Sequence, residues 1–297
     1  MSNKSEEILK KVKRIEISTR KTVDTMLSGQ YHTRFKGLGM QFSDFREYAP
    51  GDDIRHIDWK VTARTASAHI RKFEEERDLT VYIVVDVSKS GVFGSVEKTK
   101  FDAMVEICAL LSFAAIKNND RVGLIMFSDQ IKKHVPPKKG HAQAMRLITE
   151  LLHYENDLND AEKDGTNIRK ALDFVAQNAK HSGVIFLASD FYDFGFENSL
   201  KRVGKKHDVI ALRMKDPREV NFPKVGKIQV QDAESGSTFL IDTSSASFRN
   251  EFKNKNMEFE KNLNDLFLKA NVDRLDLMTN EDYFSKVVTY FRGRKRK

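Results

Sequence analysis

The chain has 297 residues, 40% of them hydrophobic, which is enough for a globular protein with a substantial core. Lys and Arg number 51 against 43 Asp and Glu, but five of the basic residues lie at positions 292–297, so the rest of the chain is close to charge balance. A single cysteine, Cys108, excludes an intrachain disulfide, and the absence of a signal peptide or of about 18 consecutive apolar residues predicts a cytoplasmic protein.

The N-terminal part of the chain has two characters. Apolar residues between Lys4 and Leu27 approximate one helical face and predict a helix there. The next segment, from Gln30 to Phe73, is rich in aromatic residues and has turn signals at Gly37, Gly39, Pro50 and Gly51. This segment predicts short strands joined by tight turns.

From Leu79 onward, strand patterns alternate with helix patterns. Strands are predicted at LTVYIVV, RVGLIMF, QIKKHVPP, SGVIFLASD, HDVIALRM and VDRLDLM, with a hairpin at KIQVQ and STFLIDT and amphipathic helices between most of them. The alternation predicts an α/β fold with a doubly wound, mostly parallel sheet. We therefore divide the chain into an N-terminal extension at residues 1–78, an α/β domain at 79–291 and a basic tail at 292–297.

Acidic and hydroxyl side chains follow the predicted parallel strands. Asp86, Ser88 and Ser90 come at the end of the first such strand, in VVDVSKSG, and Asp190 follows GVIFLAS. Thr166 stands in DGTNI, immediately before a predicted helix. Because ligands collect at the carboxyl ends of parallel strands, we expect these five side chains to meet at one edge of the sheet.

Such a set of oxygen ligands suits a hard divalent cation, Mg²⁺ or a related ion. Hydroxyl ligands are neutral, so an ion held by only two acids stays electrophilic and can take a carboxylate from another molecule. Each residue also has an ordinary explanation. Thr166 is a candidate helix N-cap, Ser88 and Ser90 are candidate turn residues, and Asp190 is a candidate loop acid.

With these residues, the chain resembles the von Willebrand factor A-like fold, whose metal-ion-dependent adhesion site uses D-x-S-x-S, a later threonine and a later aspartate. The resemblance assigns those positions to Asp86, Ser88, Ser90, Thr166 and Asp190. It implies binding of Mg²⁺ or another divalent cation, and a function in protein–protein interaction.

The N-terminal segment FKGLGMQFSDFREYAPGDDIRHIDWKVTAR resembles the signature of bacterial domain-of-unknown-function family 58, which precedes an A-like domain. Members of that family are typically paired with MoxR-type AAA+ ATPases. The resemblance therefore implies such an ATPase as partner, together with client proteins. Membrane-spanning members are frequent in the family, but the apolar segments are missing from this chain, so we expect any membrane contact to be indirect.

The charges of this signature alternate in sign between Gly37 and Arg64, around Tyr48 and Trp59. They favour a clamp of ion pairs and aromatic contacts, or else a second docking surface. A metal site at Asp53, His56 and Asp58 is a further interpretation. The sequence alone leaves these alternatives open.

Other function classes have weaker support. The sequence contains neither a G-x-x-x-x-G-K-[ST] phosphate loop nor a G-x-S-x-G nucleophile elbow. We therefore predict a non-enzymatic module that does not bind nucleic acid. Two alternatives are a protein that binds nucleic acid or an anionic surface through its basic tail, and an Mg²⁺-dependent phosphotransfer enzyme.

Overall fold

The computed structural model describes residues 3–23, 39–65, 67–76, 79–92, 94, 98–158, 165–220, 224–231 and 238–294. The chain divides into two compact units: Met1–Phe35 with Thr80–Lys297, and Lys36–Leu79. The predicted extension at residues 1–78 is therefore shared between the two units. The predicted turn at Gly37 lies outside the described residues.

A six-stranded sheet forms the centre of the larger unit. Its strands are β3 (Thr80–Asp86), β4 (Arg121–Phe127), β5 (Ile131–Lys138), β6 (Val184–Ala188), β7 (Asp208–Lys215) and β10 (Asp273–Met278). Their order is β10-β7-β6-β3-β4-β5, and only the edge strand β5 runs antiparallel to its neighbour. The order runs outward in both directions from β3, so the doubly wound, mostly parallel α/β fold of the von Willebrand factor A type is confirmed.

Helices cover both faces of this sheet, because its central strands are apolar on both sides. The helices are α1 (Asn3–Thr22), α3 (Lys100–Lys117), α4 (His141–Leu158), α5 (Ile168–Asn178), α6 (Glu197–Lys206), α7 (Pro217–Val220), α8 (Ala246–Ala270) and α9 (Tyr283–Arg294). Along β3, Val81, Ile83 and Val85 pack in the core under α1, α3, α4 and α9. Tyr82 and Val84 point to the other core, under α5, α6 and α8.

The first helix, α1, packs with the sheet-containing unit. Its residues Ile8, Val12 and Ile15 are buried in the same core as α3 and α4. Lys11 donates to Asp102 of α3 at 2.8 Å. The predicted helix is thus confirmed as far as Thr22, and residues 24–27 of the prediction lie outside the described part of the chain.

The smaller unit contains a two-stranded antiparallel sheet of β1 (Gly39–Glu47) and β2 (His69–Glu76). Between them lie a 3₁₀ helix at Ile54–His56 and the short helix α2 (Trp59–Thr65). The strands agree with the prediction from the sequence, whereas the two helical segments between them were not predicted. A second hairpin, β8 (Lys227–Gln231) with β9 (Thr238–Asp242), belongs to the larger unit and is antiparallel, as predicted.

The predicted basic tail at 292–297 is partly included in the last helix of the fold. Arg294 lies in the last turn of α9, and its guanidinium makes two parallel hydrogen bonds of 2.8 Å to the carboxylate of Asp208. The Asp208 side chain is 1% exposed. Arg294 is therefore part of the folded unit, while residues 295–297 lie outside the described region.

In the described part of the chain, none of the helices combines the length and the apolar composition needed to cross a bilayer.

Close packing of α6 against the end of α8 depends on Gly204. A Cβ atom at this position would lie 2.4 Å from the carbonyl oxygen of Ala270. Alanine favours a helix over glycine by about 1 kcal/mol, but the contact with backbone outweighs that gain. We expect Gly204→Ala to lower the free energy of unfolding by about 1–3 kcal/mol, measured by urea denaturation. Replacing the exposed neighbour Lys205 with alanine should change it little, and a Gly204→Ala protein as stable as wild type would contradict the packing.

Candidate metal-binding site

Three neighbouring parallel strands end together at one edge of the sheet. Asp86, the last residue of β3, is in register with Phe127 at the end of β4. On the other side of β3, Val85 is in register with Ala188 at the end of β6, two residues before Asp190. The loops that leave β3 and β6 therefore start side by side.

The D-x-S-x-S segment folds back on itself at the end of β3. The backbone N–H of Ser88 donates to Asp86 Oδ1 at 3.0 Å, which is an Asx-type turn. A 3₁₀ turn at Lys89–Val92 then brings the Ser90 hydroxyl to 3.0 Å from the Ser88 hydroxyl. One carboxylate and two hydroxyls are thus grouped within five residues.

Asp190 approaches this group from β6. Asp86, Ser90 and Asp190 line a cavity of about 30 Å³, which is the size of one ion or one water molecule. Ser189, the residue before Asp190, donates its hydroxyl to Asp86 Oδ2 at 2.7 Å. The structure therefore brings together four of the five predicted residues, Asp86, Ser88, Ser90 and Asp190.

Thr166 lies at the same edge of the sheet, beside the end of β4. The next residue, Asn167, donates its backbone N–H to the carbonyl of Ser128 at 2.8 Å. Asn167, rather than Thr166, caps α5, since its side chain accepts from the backbone N–H of Lys170. The residues that line the small cavity include neither Thr166 nor Ser88, whose hydroxyl reaches the site through its contact with Ser90.

A lysine that the sequence interpretation missed also reaches the site. Lys100 Nζ donates to Asp190 Oδ2 at 3.3 Å and to Glu219 Oε1 at 2.6 Å. Its side chain is 4% exposed. Burial disfavours the charged form, but the charges of Asp190 and Glu219 outweigh this and raise the pKa of Lys100. The buried lysine thus stays protonated beside the acids.

Lys100 also lines the small cavity, but its ammonium group is directed to Asp190 and Glu219. Burial, together with the negative charge of Asp190, raises the pKa of Asp86 to about 6, although hydrogen bonds from Ser88 and Ser189 act in the opposite direction. A cation in the cavity would offset both causes. The two carboxylates and the hydroxyls beside them therefore fit a hard divalent ion.

Hydroxyl groups are an essential part of that fit. Among the residues that the structure describes, no group of three or more His, Cys, Asp or Glu side chains is arranged to hold a metal. A metal at the edge of the sheet therefore needs the neutral oxygens of Ser88 and Ser90 in addition to the two acids.

Several contributors to the site have no clear sequence signal. Lys100 stands at the start of an amphipathic helix, where a lysine is ordinarily solvated, and its partner Glu219 lies on the four-residue helix α7, which the sequence did not predict. Ser189 is adjacent to Asp190, so an inspection of both neighbours of each predicted acid would have found it.

In the smaller unit, the alternating charges of the signature pair locally. Arg46 makes hydrogen bonds to both carboxylate oxygens of Asp52, at 2.6 and 2.8 Å. Arg55 binds Asp53, while Asp58 caps α2 by accepting from the backbone N–H of Lys60 at 2.9 Å. The carboxylates of Asp53 and Asp58 thus have separate local partners, which does not favour a metal site with His56. These ion pairs join residues of the smaller unit to one another, and Trp59 is 71% exposed.

Comparisons with known proteins concern both sequence and fold. A Mycobacterium tuberculosis protein described as "Uncharacterized protein Rv1480" is 27% identical over 285 residues, which is 95% of this chain and 88% of the relative. Among solved structures, the conserved hypothetical protein BatB from Bacteroides thetaiotaomicron is 12% identical, with a TM-score of 0.47 over 74% of this chain and 100% of that one. The SpRpn10 VWA domain is 12% identical, with a TM-score of 0.39 over 71% and 94%.

At these TM-scores the two structures add nothing to the topology described above. Membership of a family is shown by the sequence. The model described as "Protein of unknown function DUF58" matches residues 44–262, a span that includes most of the signature and all five predicted site residues. The chain therefore belongs to the DUF58 family.

Proposed function

We propose that this protein is a non-enzymatic, metal-dependent protein-binding module. Asp86, Ser88, Ser90 and Asp190 would hold Mg²⁺ or a related divalent cation, with Thr166 at the same edge of the sheet as a further oxygen donor. The bound ion would supply an electrophilic position for an acidic side chain of a partner. The observation that supports this best is that two carboxylates and a serine hydroxyl line one ion-sized cavity, where burial and mutual repulsion raise the pKa of Asp86.

The partner that we propose is a MoxR-type AAA+ ATPase. Family membership supports this choice, because the signature that marks the family is also the feature that implied the ATPase. In this proposal the chain acts as an adaptor that connects the ATPase with client proteins during chaperone-like assembly or remodelling. ATP hydrolysis belongs to the partner, since this chain has no phosphate-binding loop motif.

The test is capture of the purified MoxR-type ATPase from the same organism by the immobilised full chain. Wild-type protein should retain the ATPase in Mg²⁺ and lose it in a chelator. Asp86→Ala should weaken retention by at least about tenfold, or about 1.4 kcal/mol, because it removes one of the two charged ligands.

Glu258→Ala is the matched control, because Glu258 is an exposed acid on α8 away from the cavity. This variant should retain the ATPase as wild type does. Equal capture by wild type and Asp86→Ala, in Mg²⁺ and in chelator alike, would remove the metal-dependent mechanism.

A further inference from the structure

A larger groove adjoins the small cavity. It has a volume of about 610 Å³ and lies between the end of β7 and the first half of α8. Asp190 and Met214 line both spaces, so the groove is adjacent to the candidate metal site. The groove residues that matter for its chemistry are Asp190, Tyr192, Met214, Arg249, Lys253 and Met257.

The groove exists because α8 is buried at one end only. Its buried residues, Leu263, Phe267 and Ala270, all lie in its last eight positions. Earlier in the helix, Arg249, Lys253 and Met257 follow each other at spacings of four, which places them in one row on the helix surface. That row faces the groove.

Each acid of the groove wall already has a cationic partner. Asp190 and Glu219 share Lys100, and Glu260 accepts from Lys215 at 2.7 Å as well as from Arg213. By contrast, Arg249 donates to a backbone carbonyl, that of Thr243, at 2.8 Å. Lys253 has no ion pair with any residue in the described ranges. The charge that remains for a ligand is therefore positive and lies along α8.

The apolar part of the groove is exposed but firmly held. Tyr192 is 46% exposed and Met257 is 53% exposed. The Tyr192 ring stacks on Phe259, with 4.6 Å between centroids, and the Arg213 guanidinium carbon lies 5.5 Å from the Tyr192 ring centroid. Arg213 Nε also donates to the backbone carbonyl of Asp190 at 3.0 Å. A fixed aromatic surface next to a binding position loses little conformational freedom on binding.

We propose that this groove binds an extended acidic peptide segment of the protein partner. The inference rests on the proposed function, because one acid of the segment occupies the metal site. An apolar side chain of the segment then packs on Tyr192 and Met257, and a second acid pairs with Arg249 and Lys253. Charge complementarity along α8 selects an acidic segment over a basic or neutral one.

The experiment is selection of a phage-displayed library of random 12-residue peptides on the immobilised full chain. It is carried out with Mg²⁺ and with a chelator, on wild type, Asp86→Ala and the double variant Arg249→Glu with Lys253→Glu. The consensus peptide is synthesised with a fluorescent label, and its Kd is measured by fluorescence anisotropy. The control is Lys255→Glu with Lys261→Glu, which reverses two exposed α8 lysines that do not line the groove.

Wild type in Mg²⁺ should enrich peptides with two acids flanking an apolar residue. The Arg249→Glu/Lys253→Glu variant should bind the consensus peptide with a Kd at least about tenfold higher. In the selection, it should enrich peptides in which a basic residue replaces the second acid. The control should bind as wild type does. Circular dichroism of each variant establishes that it is folded.

Each alternative result has a distinct meaning. If peptides with a single acid are enriched only in Mg²⁺, and the Arg249→Glu/Lys253→Glu variant enriches them equally, the groove proposal is overturned. The metal-site proposal is then still supported. If acidic peptides are enriched equally with and without chelator, but are not enriched on the Arg249→Glu/Lys253→Glu variant, the groove proposal is supported and the metal-dependent function is refuted. Failure to enrich acidic peptides on wild type, or equally tight binding of a labelled 12-nucleotide RNA through Arg249 and Lys253, overturns the acidic-peptide proposal.

Discussion

Replacing Arg294 with alanine should destabilise the larger unit by about 3–5 kcal/mol, although the residue stands only three positions before Lys297. The reason is the carboxylate of Asp208, which is 1% exposed and accepts two hydrogen bonds from the Arg294 guanidinium. Without the guanidinium, a buried charge loses its bidentate partner. Guanidinium chloride denaturation gives the free energy of unfolding.

Arg292→Ala on the same helix is the control for the loss of a terminal positive charge. Arg292 is exposed, so its removal should cost no more than about 1 kcal/mol. If both variants were equally stable, the ion pair would contribute nothing and Arg294 would be an ordinary surface residue. The expected difference in unfolding free energy between the two variants would show that Arg294 stabilises the fold and is not available to bind an anionic ligand.

Asp86→Asn should become more stable relative to wild type as pH rises, when divalent cations are chelated. The pKa of Asp86 is raised to about 6 in the fold, from about 3.8 in the unfolded chain. The folded state therefore binds more protons than the unfolded state between these pH values, and wild-type stability falls as pH rises through 6. The raised pKa corresponds to about 3 kcal/mol in total, of which about 2.4 kcal/mol is lost between pH 4 and pH 7. Urea unfolding of both proteins from pH 4 to pH 7.5 measures it.

Adding Mg²⁺ should remove most of this difference, because the bound ion favours the charged carboxylate of the wild type. Asp282→Asn is a control in which the pKa of the replaced acid is shifted in the opposite direction, downward. Hydrogen bonds from Ser285 lower the pKa of this exposed acid, so its replacement should bring no gain at neutral pH. If the free energies of unfolding of wild type and Asp86→Asn changed in parallel with pH, the pKa of Asp86 would not be raised by the fold.

The central sheet was predictable because its signal is local. β3 and β6 are short apolar runs bounded by polar residues, and burial on both faces requires that composition. The edge strand β5 carries Lys132, Lys133 and Pro136, which are typical of a strand that faces solvent. Boundaries agreed to within a few residues wherever the structure describes them.

The site was predictable only in part. Asp86, Ser88 and Ser90 form a compact motif, and Asp190 follows a recognisable strand, so the topology rule placed them together. Lys100 and Glu219 were missed because their roles arise from a contact between residues 119 positions apart. The groove was missed for a similar reason, since the pattern of α8 does not tell at which residue the helix leaves the core.

Lys100 gives this edge of the sheet a resident positive charge that the polypeptide itself carries. Its ammonium group touches both Asp190 and Glu219, so withdrawal of an external ion leaves these acids partly compensated. The domain should accordingly keep its native shape when divalent ions are depleted. In the proposed function, release of a partner would then follow withdrawal of the ion and would not require the protein to refold before it is used again.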